Sequence, residues 1–308
     1  MIRSGVKEFE STVSYSIGVD LGGTNIKTVG ISPEGKVLKF LTSDTADLEG
    51  SWPQTIREQL KSIEGLLGQA PCNIGVASPG LAAKDGRSIA HMQGRLNGLE
   101  GFVWTDFLKT SKPVVVLNDA HAALLGEVWQ GAAKGCSNVI LLTLGTGVGG
   151  AVLADGRLLK GHIGRAGHLG HVSVNSDGNA DIVGTPGSLE EMIGNYNILE
   201  RSKGRFDSTR KLVEAHLSGD KDATAIWLRS VFHLAAAVAS FINAFDPEIV
   251  IIGGGIAQAG PALFEPLASY LDRFEWRPKG HNVPVISALL GDKAGAIGAA
   301  YHAILQEQ

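Results

Sequence analysis

The chain has 308 residues, 44% of them apolar and 19% charged, with a formal net charge of −4 at pH 7. That length accommodates two domains and a sizeable core. The mild acidity argues against a binder of the nucleic-acid backbone, which needs a basic excess, and the apolar content argues against disorder. Glycine is the outlier, with 41 residues where average usage near ~7% gives about 22, and it lacks the three-residue period of collagen.

Cys72 and Cys136 are the only cysteines. Each lies in or beside an apolar stretch, and the pair reads as two buried, reduced thiols of a cytoplasmic protein. The first residues, about 14 of them, are polar and lack the apolar core of a signal peptide. No uncharged apolar run reaches about 18 residues, so no membrane span is expected.

In chain order, strands are predicted over Tyr15–Leu21, Ile26–Ile31 and Val37–Leu41. The spacing of Trp52–Leu67, with Arg57, Glu58, Lys61 and Glu64 on one face, predicts a helix. A buried strand at Ile74–Ala77 ends at Ser78-Pro79-Gly80, and a strand at Val114–Leu117 leads into a helix at Asp119–Trp129. The order then recurs: strand Val139–Leu144, turn Gly145–Gly150, strand Ala151–Leu153, and Leu158-Leu159 after a further turn. A long apolar helix, Ala225–Phe245, carries Arg229 in its interior. The strand Glu248–Ile252 runs into Gly253-Gly254-Gly255, and a last helix covers Lys293 to Leu305, where Gly295 and Gly298 permit close helix packing.

SIGVDLGGTN at Ser16–Asn25 and LLTLGTGVGG at Leu141–Gly150 are two copies of one device, a strand, a glycine turn and a second strand. Such a repeat implies a duplicated α/β fold with a cleft between its halves. The boundary falls at Asn118. Residues 1–117 with 293–308 make the smaller domain and 118–292 the larger, the C-terminal helix folding back onto the first.

The glycine turns have two readings. A Gly-Gly pair suits a tight hairpin that needs positive φ. It also lets backbone N–H groups converge on phosphate oxygens without side-chain obstruction. In the motif Asp20-Leu21-Gly22-Gly23-Thr24-Asn25-Ile26-Lys27, Gly22 and Gly23 supply amides and Thr24 a hydroxyl, Lys27 closes the motif, and Asp20 faces Mg2+ through water. The second turn offers Gly145, Thr146 and Gly147. It is neither a Walker loop, lacking Gly-Lys-Ser/Thr, nor a dinucleotide fingerprint, since a strand rather than a helix follows. Gly253, Gly254 and Gly255 end a strand where open α/β sheets bind ligands, although alone they also read as a strand-to-helix turn. Three such junctions together point to a nucleotide.

DLGGTNIK at Asp20–Lys27, SPG at Ser78–Gly80, LNDAHAA at Leu117–Ala123, LGTGVGGAV at Leu144–Val152, AGHLGH at Ala166–His171, DPEIVIIGGGIA at Asp246–Ala257 and AGAIGAA at Ala294–Ala300 together carry a resemblance. From about Ser16 to Ala303 the sequence resembles the ROK family (repressors, open reading frames and kinases), sugar kinases of the actin-like ATPase superfamily. The resemblance implies a duplicated actin-like ATPase (ribonuclease H-like) α/β fold, ATP with Mg2+, and a hexose or hexosamine acceptor phosphorylated usually at its 6-position. It also implies a cytoplasmic homodimer with no nucleic-acid or membrane partner. Asp119 is then the base that takes the hydroxyl proton, Asn118 holds a sugar hydroxyl, and Gly80 lines the sugar site. Read alone, Asn118-Asp119 is better taken as an ordinary helix N-cap. Arg95 stands where many members have a sugar-contacting Asn, with Asn97 the other candidate.

The pattern breaks between Gly161 and Glu190. Family members usually carry Gly-Glu-x-Gly-His and then Cys-x-Cys-Gly-x-x-Gly-Cys-x-Glu, binding zinc through the His and three Cys. Here His168 replaces the sugar-binding Glu, while His171 and Glu190 keep the His and the final Glu. The cysteine positions hold Asp181, Val183 and Ser188. Valine cannot ligate a metal and serine seldom does, so no zinc is expected. His168 reads either as a packing residue or as a substrate contact. With Arg95 it raises the alternative of an atypical or anionic sugar. A sugar-sensing regulator is disfavoured, because too few residues precede the first strand for a helix-turn-helix. A non-catalytic sugar-binding or regulatory member of the family is the remaining alternative.

Overall fold

The structure, a computed structural model, describes residues 14–45, 50–92 and 94–307. The expected polar arm lies outside these residues up to position 13. Two five-stranded sheets form the frame. The first contains β1 (Ser16–Leu21), β2 (Asn25–Ile31), β3 (Val37–Asp44), β4 (Ile74–Ser78) and, after the small hairpin β5 (Leu81–Ala82) and β6 (Ile89–His91), β7 (Val115–Asn118). Its order is β3-β2-β1-β4-β7. The second contains β8 (Val139–Leu144), β9 (Val148–Ala154), β10 (Arg157–Leu158), β11 (Ile249–Gly253) and β12 (Val285–Ser287), in the order β10-β9-β8-β11-β12. Each sheet has three antiparallel strands followed by two parallel ones. The duplication expected from the repeated glycine turns is thus present strand for strand.

The helices are α1 (Trp52–Leu67), α2 (Trp104–Leu108), α3 (Asp119–Gln130), α4 (Leu189–Ile193), α5 (Ile198–Arg201), α6 (Thr209–Leu217), α7 (Lys221–Phe245), α8 (Pro261–Phe274) and α9 (Ala294–Leu305). Beneath the first sheet, Trp52, Ile56 and Ile63 of α1 join Trp104 in a buried cluster, with the Trp52 and Phe102 rings edge-to-face at 5.2 Å. Beneath the second, α7 buries Trp227, Val231, Leu234 and Val238. Helix α7 is long and apolar enough to cross a membrane, yet most of it is buried in the fold. Its apolarity is that of a core helix.

Several expectations are corrected. Strand β9 begins at Val148, paired with Leu144, rather than at Ala151, so Gly149 and Gly150 belong to the strand and only residues 145–147 turn. Gly150 is glycine because a Cβ there would lie 2.7 Å from the Gly167 carbonyl oxygen. Neither cysteine is buried: Cys72 is exposed and Cys136 half-buried, both free. Cys72 precedes β4 at the surface, where its Sγ meets Ser14 Oγ at 3.2 Å. Helix α8 is not evident from the sequence. Pro261 opens it and Pro266 lies inside it, which masks its apolar periodicity.

Helix α9 packs backbone to backbone. A Cβ on Gly18 would overlap the Ala296 carbonyl oxygen, one on Gly75 that of Ala299, one on Gly126 that of Ala294, and one on Gly298 that of Ala122. Thus α9 lies directly on β1, β4 and α3 without intervening side chains. At Gly295 the missing Cβ leaves room for the Asp20 carboxyl carbon, which would be only 2.7 Å away.

Candidate active site

Asn118 ends β7 and caps α3. Its Oδ1 accepts from the N–H of Ala120 at 3.0 Å and of His121 at 3.3 Å, while Nδ2 donates to the Gly80 carbonyl at 3.0 Å. The capping role is real, and the second Nδ2 hydrogen is directed at the neighbouring Asp119 carboxylate. Gly80 has φ +98, and a Cβ there would lie 2.6 Å from the His91 carbonyl oxygen, so only glycine brings its carbonyl to Asn118. Asp119, the first residue of α3, accepts from the Ala120 N–H at 2.8 Å. Burial raises its carboxyl, against hydrogen bonds from Ala120 and Asn118. Asp20, near the end of β1, is pushed up to about 7, chiefly by burial and then by the Asp119 charge, with Lys27 opposing. Two carboxylates crowded in this way favour a shared cation or a proton. Their hard oxygen donors suit Mg2+.

The first turn is not a positive-φ hairpin, since neither Gly22 nor Gly23 has positive φ. Gly22 donates to the Asn25 carbonyl at 3.0 Å, and the Thr45 hydroxyl braces the Gly22 carbonyl at 2.6 Å. The Arg95 side chain lies close over this turn, its Nη1 2.8 Å from the point a Gly23 Cβ would occupy. Thr24 is exposed. Lys27 faces Asp20 in the β1–β2 register, and its Nζ lies 3.7 Å from Asp292. In the second turn a Cβ on Gly145 would meet nothing, whereas one on Gly147 would overlap Glu190 Oε2. The carbonyls of Gly145 and Thr146 accept from Asn195 and Tyr196 at 3.0 and 2.9 Å. Gly254, at φ +86, abuts the Leu144 carbonyl, while Gly255 opens onto free space. The second and third glycine clusters are therefore contiguous.

Glu190 Oε2 accepts from the Val148 N–H at 2.8 Å, tying the sugar-side candidates to the second glycine turn. Burial raises its carboxyl, with the Val148 hydrogen bond opposing. His171 Nδ1 lies 2.8 Å from Asp181 Oδ2, and Asp181 Oδ1 accepts from the N–H of Val183 at 3.0 Å and of Thr185 at 2.9 Å. Burial opposes ionisation of Asp181, but hydrogen bonds from His171, Thr185 and Ser188 outweigh it and hold the carboxyl below its usual range. The potential ligand atoms of His171, Asp181 and Glu190 lie within 4.8 Å of one another, yet each residue is committed to a protein partner. Val183 offers no ligand atom, and Ser188 Oγ caps α4 by accepting from Glu191 N–H at 3.2 Å. The family's centre of one His and three Cys therefore cannot be assembled from these residues.

His168 Nε2 is buried and without a protein partner. Burial, and then His171, lowers the ring's pKa and favours the neutral imidazole in the unliganded protein. Its neighbour His121 is a site residue that sequence reasoning misses. His121 donates from Nε2 to the Ala166 carbonyl at 3.0 Å, and its pKa is lowered to about 4 by burial and then by His168. It thereby fixes the segment that carries His168, which Gly170 lets sit against the Val148 carbonyl. The only sequence signal is a polar residue in an otherwise apolar helical turn. Arg95 and Asn97 are both exposed, and the Arg95 guanidinium lies against Gly23.

A sequence model of the ROK family matches residues 16–306. The chain is 36% identical over 304 residues to a glucokinase of Thermotoga maritima, covering 92% of this chain and 95% of the relative. Among solved structures, a ROK hexokinase from Thermus thermophilus superposes with a TM-score of 0.85 at 30% identity, covering 95% of this chain and 99% of its own. A ROK glucokinase from Streptomyces griseus, in complex with glucose and AMPPNP, gives 0.79 at 27% identity, covering 95% and 100%. These matches run along nearly the whole of each chain, and the chain belongs to the ROK family.

Proposed function

We propose that this protein is an ATP-dependent sugar kinase acting on the hydroxyl, usually the 6-hydroxyl, of a neutral hexose or hexosamine. The observation that carries the reading is Asp119, held at the start of α3 beside Asp20 and braced by Asn118. Asp119 accepts the proton of the sugar hydroxyl as its oxygen bonds to the γ-phosphorus. The bond to the bridging oxygen breaks, and that electron pair leaves with ADP. Asn118 holds Asp119 and the Gly80 carbonyl against the sugar hydroxyl, while Asn97, His168, His171 and Glu190 surround the ring. Amides at Gly22, Gly23, Gly145 and Gly147, with the Thr24 and Thr146 hydroxyls and Lys27, meet the phosphates, and Gly253–Gly255 meet the nucleoside. Asp20 would hold Mg2+, which shields the charge of the phosphates.

The buried, unpartnered Nε2 of His168 supports a hydroxyl-bearing sugar. Its buried nitrogen needs a hydrogen-bonding partner, and leaving it unmet costs about 1–3 kcal/mol. A sugar hydroxyl supplies that partner. The reading keeps the division into residues 1–117 with 293–308 and residues 118–292. It takes the protein as a cytoplasmic homodimer on the family resemblance alone.

A coupled ADP-release assay over glucose, mannose, fructose, allose, N-acetylated hexosamines and sugar acids tests the reading. Release that depends on a neutral sugar is expected. Turnover of sugar acids alone would overturn the assignment of His168, and no release with any sugar would favour a non-catalytic member. The Asp181 network also takes the place of the family's zinc in this reading. Elemental analysis of the purified protein is expected to find no stoichiometric zinc, and one equivalent per chain would contradict it.

A further inference from the structure

Arg95 aligns with a sugar-contacting position, but its guanidinium reaches the first glycine turn. The point a Gly23 Cβ would occupy lies 2.8 Å from Nη1, 3.5 Å from Cδ and 3.8 Å from Cζ of Arg95. The side chain thus lies across the turn, in the space the absent Cβ leaves. Arg95 is exposed, and among the described residues no carboxylate lies within 4.0 Å of it.

The residues after Arg95 hold its backbone in place. Leu96 adopts φ 53, a region that a bulky L residue rarely visits. It is kept there by a side chain only 1% exposed, packed in the first core with Leu99. The Leu99 N–H donates to the Leu96 carbonyl at 3.0 Å, and the Met92 N–H to Glu100 Oε1 at 2.6 Å. The segment follows β6, whose partner β5 adjoins the Gly80 carbonyl that Asn118 holds. Arg95 is therefore rooted on the sugar side and aimed at the phosphate side.

We propose that Arg95 binds the terminal phosphate of the nucleotide, pairing with its oxygens and staying with the phosphoryl group during transfer. This rests on the kinase reading. Asp20 and Asp119 bring two carboxylates to the place where a polyanion must approach, and Lys27 is drawn toward Asp292. A permanent cation with a planar fork matches phosphate oxygens in pairs. As the transferring group redistributes charge, a guanidinium held beside it stabilises the transition state more than the ground state.

The test compares the wild type with Arg95→Ala and Arg95→Lys by calorimetry with AMPPNP and with ADP, each with Mg2+, and by steady-state kinetics. Because Arg95 is exposed, the variants are expected to melt with the wild type. Arg95→Ala is expected to lose about tenfold in AMPPNP affinity relative to ADP and about 10²-fold in kcat, with the sugar KM moved less. Arg95→Lys is expected to recover part of both. An unchanged AMPPNP-to-ADP affinity ratio in Arg95→Ala overturns the proposal, whether the sugar KM rises, as for a sugar ligand, or nothing changes. If the wild type turns over no sugar, the kinase reading fails, and the affinity ratio still decides the role of Arg95.

Discussion

Asp119→Asn is expected to lower sugar-dependent ADP release by about 10²–10⁴-fold, the range typical of a lost general base, with the fold intact. The buried carboxyl is raised above its ordinary value, so its ionised form is less favourable in the folded protein than in the unfolded chain. Removing that charge leaves the melting temperature at neutral pH unchanged or higher. Asparagine keeps an oxygen for the Ala120 N–H, while Asn118 continues to cap α3. The pH profile of the wild type follows from the same groups. Asp119 must be ionised to take a proton and Asp20 to hold a cation, and Asp20 is pushed up to about 7 by burial and by Asp119. Mg2+ competes with the proton on Asp20, so the protein's affinity for Mg2+ is expected to weaken as pH drops through about 7, with the two carboxyls titrating as a coupled pair. A rate retained in Asp119→Asn would remove this residue from its role.

Gly298→Ala carries the largest expected stability loss. Its new methyl would overlap the Ala122 carbonyl oxygen and lie 2.6 Å from Ala122 C and 2.7 Å from Gly126 N. All three are backbone atoms, so α9 and α3 must separate, and with them the contacts that hold β1 and β4. A loss above about 3 kcal/mol is expected, beyond ordinary overpacking, because no side chain can move aside. Gly65→Ala is the internal contrast. Gly65 lies in α1 with nothing within 4 Å of the added methyl and no positive φ, and a gain of up to about 1 kcal/mol is expected from helix propensity. Denaturant unfolding of both variants measures the difference, and equal effects would contradict the packing account.

Features encoded locally are legible in the sequence. The alternation and β-branched content of β1, β2, β8 and β11, the charged face of α1 and the glycine punctuation after each strand depend on neighbouring residues. So does the capping pair Asn118-Asp119, although its dual use emerges only when Gly80 arrives from another loop. The features that escape a reading of the sequence depend on distant partners. Glu190 meets Val148 across 42 residues, which is why Gly147 cannot carry a side chain. The role of His121 depends on the Ala166 carbonyl, 45 residues away. Asp181 stands in the sequence only as a lost cysteine, whereas its carboxylate gathers His171, Val183 and Thr185 around itself. Arg95 aligns with a sugar contact, whereas its guanidinium lies at Gly23, 72 residues away in the chain.

Phosphoryl transfer to a sugar is most directly tested by phosphorus-31 NMR of the purified protein with ATP, Mg2+ and a mixture of neutral hexoses and N-acetylhexosamines. Transfer to a primary sugar hydroxyl predicts a new phosphomonoester resonance split by two methylene protons, growing in step with ADP. Intact ATP after prolonged incubation, or ADP accompanied only by inorganic phosphate, would contradict it.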